Sequence, residues 1–167
     1  MRVVPALLLA ASVSAQTTPN FSGRWILTPD PPGAGGGRGA TAGSGWGSDI
    51  TVTQDAATLT IEYAQYTRYD MQPLMKFVYR LDGSESKNTI NMGRGPQEQI
   101  SRVAWNGGKL VITTRHTFTP APGGAAMSSE TVHVLSLESP ASLAIETTRG
   151  AVMGGEATTT KTIYKKN

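Results

Sequence analysis

The chain has 167 residues, with 15 Lys and Arg against 12 Asp and Glu, and it contains no cysteine. The basic residues are scattered, Lys161, Lys165 and Lys166 being the nearest thing to a cluster, so the dense basic stripe of a nucleic-acid surface is missing. Without cysteine there is no disulfide framework, no thiolate metal site and no lipid-carrying thiol.

In chain order, the first segment reads as a signal peptide. Arg2 supplies the positive start, Val3 to Ala11 form a short apolar run, and Val13-Ser14-Ala15 offers small residues for cleavage before Gln16. The run is too short to span a bilayer, and no later stretch is long enough. The expectation is a secreted or periplasmic protein whose residues 16–167 form a single domain with room for a core. A secreted chain of this size without disulfides fits a bacterial envelope.

Next comes Asn20-Phe21-Ser22-Gly23-Arg24-Trp25-Ile26-Leu27, where Phe21, Gly23, Trp25 and Leu27 alternate with the residues between them. That period of two predicts a first strand with one face on a core. Trp25 needs a large apolar site and a partner for its N–H, so it is expected to plug one end of that core. Pro29 to Gly47 is rich in Gly and Pro, and Trp46 is its one large apolar side chain. The segment predicts a flexible loop. Its Gly33-to-Gly39 run lacks the lysine and the helix of a phosphate-binding loop.

From Ser48 onward a strand–turn–strand phrase repeats. Thr51 to Gln54 turns at Asp55-Ala56-Ala57 into Leu59-Thr60-Ile61. Val103 to Trp105 turns at Asn106-Gly107-Gly108 into Leu110-Val111-Ile112, and Val134 to Leu137 turns at Glu138 to Ala141 into Leu143-Ala144-Ile145. Each second strand opens Leu-x-Ile, which places both side chains on one face. Asn-Gly is a strong hairpin signal because both turn positions tolerate positive φ. Further strands are expected at Leu74 to Leu81, Lys87 to Met92, Gln97 to Trp105, Lys109 to Thr119, Ser128 to Leu137, Ser142 to Arg149 and Ala157 to Lys165. The Thr-rich last one has high β-propensity. No stretch carries a helical period beyond a candidate turn at Tyr63, Tyr66 and Tyr69. The expected fold is all-β: a single antiparallel up-and-down, or meander, β-barrel of eight to ten strands, because closure removes unpaired edges.

The Phe-x-Gly-x-Trp opening together with the meander resembles the calycin superfamily, which comprises the lipocalin, fatty-acid-binding-protein and avidin barrels. The chain also resembles small secreted bacterial proteins of unassigned function that share Phe-x-Gly-x-Trp-x-Leu and late hairpins of the type Leu-Ser-x-Leu…Leu-x-Ile. The lipocalin-like resemblance implies an apolar small molecule held inside the barrel. It also implies an arginine near the last strand stacked on the opening tryptophan. This chain offers Lys161 and Lys165 on that strand and Arg149 one strand earlier.

Strand parity supplies the candidate site. Leu110, Ile112, Thr114, His116 and Phe118 share one face, as do Thr131, His133, Leu135 and Leu137, and so do Leu143, Ile145, Thr147 and Arg149. With a turn centred on Gly123-Gly124, His116 lies opposite Thr131, and the two histidines become diagonal neighbours. His116, His133 and Arg149 then form the polar end of a barrel interior, able to hold an anionic head group. Trp25, Leu59, Ile61, Leu110, Ile112, Leu143 and Ile145 would line the space for an apolar or amphipathic tail. Two histidines alone make no metal site, because a third ligand has no matching spacing. No Gly-x-Ser-x-Gly elbow is present and the carboxylates are dispersed, so binding without catalysis is expected, with no cofactor. The competing expectation is an interaction module, a packed barrel whose Tyr63, Tyr66, Arg68, Tyr69 stretch and Gly-rich loop contact a protein or glycan.

Overall fold

In the computed structural model, residues 18–28, 46, 48–64, 74–91, 96–118, 126–150 and 156–167 are described. Residues 1–15, most of the 29–47 segment, and Tyr66, Arg68 and Tyr69 lie outside them. The described chain is all-β. It comprises β1 (Gly23–Leu27), β2 (Ile50–Gln54), β3 (Thr58–Tyr63), β4 (Met75–Arg80), β5 (Ser86–Asn91), β6 (Pro96–Asn106), β7 (Lys109–Phe118), β8 (Met127–Ser139), β9 (Ser142–Arg149) and β10 (Thr158–Lys166). Every pairing is antiparallel, in the order β4-β3-β2-β1-β10-β9-β8-β7-β6-β5. The ten strands form one up-and-down sheet nearly closed into a barrel. No helix among the described residues is long and apolar enough to cross a membrane.

Closure is completed by side chains. The edge strands β4 and β5 meet across a seam where Asn88 replaces a rung of the backbone ladder. Its carboxamide oxygen accepts from the Val78 N–H at 2.8 Å, and its Nδ2 donates to the Val78 carbonyl at 3.1 Å. The next rung is supplied by Ser86, whose Oγ accepts from the Arg80 N–H at 2.7 Å. Both side chains are buried, so the pairing is made away from water, where an unmade hydrogen bond is expensive.

The turns at one end are tight. The loop joining β6 to β7 is Gly107-Gly108, with φ of 55° and 81°, while Asn106 pairs with Lys109 as the last rung of the ladder. The positive-φ positions are therefore both glycines, and the asparagine of the expected Asn-Gly turn is a strand residue. Two consecutive positive-φ positions match the right-handed twist of the flanking strands. At the opposite end the chain passes from β1 to β2, β3 to β4, β5 to β6, β7 to β8 and β9 to β10.

The tight-turn end is solidly packed. Trp25, Leu59, Ile61, Leu110, Ile112, Leu143 and Ile145 are all fully buried in one core cluster. Trp25 donates its indole N–H to the Phe21 carbonyl at 2.8 Å, and Phe21 in turn stacks on Trp105. A cation from the last strand does lie over Trp25. It is Lys166, with Nζ 5.4 Å from the ring centroid, and not Lys161, Lys165 or Arg149. The register brings Lys166 opposite Trp25, whereas Lys161 faces β9 at Glu146 and ion-pairs with Glu138. Gly23 makes the approach feasible. Its φ is 150°, and a Cβ there would come within 2.7 Å of the Lys166 Cε.

Two stability outcomes follow from this geometry. Asn88→Ala strips both bonds from Val78 and should cost about 1–3 kcal/mol in urea unfolding, with faster amide exchange at Val78 than in the parent. Gly23→Ala should cost about 1–3 kcal/mol, from a strained φ together with displacement of the Lys166 stem, and Lys166→Met should not recover it.

Candidate functional site

The inward face changes character along the barrel, and the cross-strand register shows it layer by layer. Near the tight turns, Leu110, Leu135 and Ile145 lie side by side. Two residues further on, Val103, Ile112, His133 and Thr147 form the next row. Above it come Ser101, Thr114, Thr131 and Arg149, and then Gln99, His116 and Ser129. Ser101 and Thr114 share a 2.8 Å hydroxyl–hydroxyl bond within this polar zone. Gln99, Ser101, Thr114, Thr131, His133 and Thr147 are all buried. Burying polar groups costs free energy unless they are hydrogen-bonded, and this half of the interior is lined with them.

A cavity of about 240 Å³ occupies that half. Gln97, Gln99, Thr114, His116, Thr131 and Arg149 form its polar wall. Tyr63, Met75 and Phe77 from β3 and β4 face them, with Ile90 beside the seam. Tyr63 and Phe77 stack with parallel rings, 5.9 Å between centroids and 3° apart, and Tyr79 extends the row below Phe77 at 6.3 Å. One wall is thus aromatic, the other lined with polar groups.

The cavity is bounded by Trp46 and His133. Trp46 stacks on the His133 imidazole, 4.3 Å between centroids and 22° apart. Its indole N–H meets the Tyr79 hydroxyl, so the side chain spans the interior from β8 to β4. His133 is 7 % exposed, and neither Nδ1 nor Nε2 has a hydrogen-bond partner. Burial, reinforced by the positive charge of Arg149 and then by His116, pushes its pKa down to about 4. The imidazole is therefore neutral at physiological pH and carries one donor and one acceptor. His116, half-buried, is shifted down as well, first by burial and then by Arg149. Burial also raises the Tyr79 phenol.

The two histidines are not diagonal neighbours. Thr114 pairs with Thr131, which places His116 opposite Ser129 and His133 opposite Ile112. The β7–β8 connection is centred one residue earlier than the Gly123-Gly124 turn predicts, and in an antiparallel pair that moves each partner by two positions. Their backbone positions are four residues apart along the barrel, roughly 13 Å. Arg149, opposite Thr131, lies between their levels.

Of the expected site residues, His116, His133 and Arg149 therefore line the cavity. Trp25, Leu59, Ile61, Leu110, Ile112, Leu143 and Ile145 sit in the packed half. Trp46, Phe77, Met75, Ile90, Gln97, Gln99, Thr114 and Thr131 join the site without having been singled out. Trp46 carried a signal, a lone large apolar residue in an otherwise Gly-rich segment. Among the described residues, no group of three or more His, Cys, Asp or Glu is placed to hold a metal ion. In comparisons with known proteins, no family model matches the chain and no curated protein is similar to it.

The buried imidazole gives this half of the barrel a pH signature. An unfolded chain binds a proton at His133 near the ordinary value of 6.5, the folded one only near 4. Between those values the unfolded state holds more protons, so stability falls as the pH drops from about 6.5 to about 4, by on the order of 3 kcal/mol. Urea midpoints across that range should show this loss in the parent and most of it abolished in His133→Phe. At neutral pH that variant, which keeps the stack on Trp46 and removes two unpartnered nitrogens, should gain about 1 kcal/mol.

Proposed function

We propose that the protein is a secreted or periplasmic, non-enzymatic binder of a small amphipathic molecule, held at the end of a lipocalin-like barrel where the longer connections lie. The observation that carries this reading is the buried, unpartnered His133 lining a cavity whose other wall is aromatic. A barrel serving only as a scaffold gains nothing from a buried, orphaned imidazole beside a polar wall, whereas a ligand with a matching group satisfies it. The relation to calycin barrels is supported by the Gly23-x-Trp25 opening, the up-and-down topology and the last-strand cation over Trp25. The apolar half of the interior, fully packed around Leu59, Ile61, Leu110 and Ile145, is not where the molecule sits. The ligand's polar portion dominates its contacts.

Trp46 provides the readout. It lies against the cavity, whereas Trp25 is sealed in the core. Titration with a panel of acyl, steroid and aromatic amphiphiles should change the intrinsic fluorescence for at least one class. Trp46→Phe should remove that change, and Trp105→Phe should leave it. A flat response across the panel, combined with no stoichiometric small molecule in an organic extract of the periplasmically expressed protein, would overturn the binding reading in favour of an interaction module.

A further inference from the structure

Building on that reading, we propose that the cavity selects a compact hydroxylated aromatic acid. The ring lies along Tyr63 and Phe77, the acid group meets Arg149, and the hydroxyl reaches His133.

Charge comes first. Among the described residues lining the cavity there is one guanidinium and no carboxylate, and the remaining polar groups are amides, hydroxyls and imidazoles. An anion brought into this space finds a planar cationic partner in Arg149, where a cationic ligand would meet like charge.

Shape comes second. Tyr63 and Phe77 form an aromatic row with rings parallel to within 3°, a stack that another ring extends better than a flexible chain does. The cavity, about 240 Å³, ends at Trp46, and the packed half beyond it offers no continuation for a long acyl chain, since Ile112, Leu135 and Ile145 are fully buried there.

Spacing comes third. Arg149 pairs across from Thr131, and His133 lies two residues deeper on the same strand, about 7 Å along the barrel. A benzene ring with a carboxylate and a hydroxyl in para positions spans that length. His133 is the residue at the deep end with hydrogen-bonding capacity that no protein group meets, and a phenolic hydroxyl can serve either of its nitrogens, as donor to one or acceptor from the other.

Isothermal titration of the folded protein tests each contact separately, with 4-hydroxybenzoate as the probe. Benzoate, 4-hydroxybenzamide and palmitate serve as comparisons. We expect 4-hydroxybenzoate to bind at least about tenfold more tightly than the amide, which lacks the charge, and several-fold more tightly than benzoate, which lacks the hydroxyl. Arg149→Gln should erase the first difference and leave the second. His133→Phe, whose fold is checked by its urea midpoint, should erase the second and leave the first. Equal affinity for acid and amide, or tighter binding of palmitate, overturns the aromatic-acid assignment while leaving a small-molecule binder standing. No binding of any of the four at millimolar concentration, with a flat response across the broader amphiphile panel, overturns both.

Discussion

Everything inside this barrel depends on closing a ten-stranded sheet at a seam the backbone does not complete. Edge strands carry rows of unpaired N–H and C=O groups, and a sheet left open would expose them together with the whole inner face. Asn88 and Ser86 resolve this by lending side-chain groups to the Val78 and Arg80 backbone. A carboxamide has the donor and acceptor of a peptide group at nearly the same spacing, which is why it can stand in for a missing rung. The closure is confined to the tight-turn half of β4 and β5. Towards the other end, Met75, Phe77 and Ile90 line the cavity instead.

With the sheet closed, the two halves of the interior follow different rules. In one, Leu, Ile, Val and the fully buried Trp25 fill the space, as expected where hydrophobic burial is the main favourable term. In the other, the same inward positions carry Ser, Thr, Gln, His and Arg. Trp46 lies at the boundary, stacked on His133 and bonded to Tyr79. This one side chain covers the apolar floor with its ring and satisfies a buried hydroxyl with its N–H, so it separates a packed core from a polar chamber.

The tight-turn end also shows how a short motif works. Gly23 gives the Lys166 stem room to cross, Trp25 receives the cation on its face, and the Phe21 carbonyl accepts the indole N–H. The resemblance to lipocalins implied an arginine in this place. The cation over Trp25 is instead Lys166, one residue beyond Lys165.

Alternation of residue types by itself determined the all-β class, the meander, the inward faces of β7, β8 and β9 and the burial of the Leu-x-Ile pairs, because side chains on a regular strand have a period of two. Even His116, His133 and Arg149 were legible as inward-facing. Their relation to one another was not, since register depends on where the β7–β8 connection is centred, and a shift of one residue there moves the cross-strand partners by two. The site's aromatic half was equally hidden. Tyr63 and Phe77 become one wall only through the β3–β4 pairing, and Trp46 comes from a Gly-rich segment whose pattern predicts no structure at all. The seam was invisible for the same reason. Asn88 reads as an ordinary residue of a weak strand until the sheet curls round to bring Val78 beside it. Local periodicity is written in neighbouring residues, whereas a cavity is a property of strands that meet only after the sheet has closed.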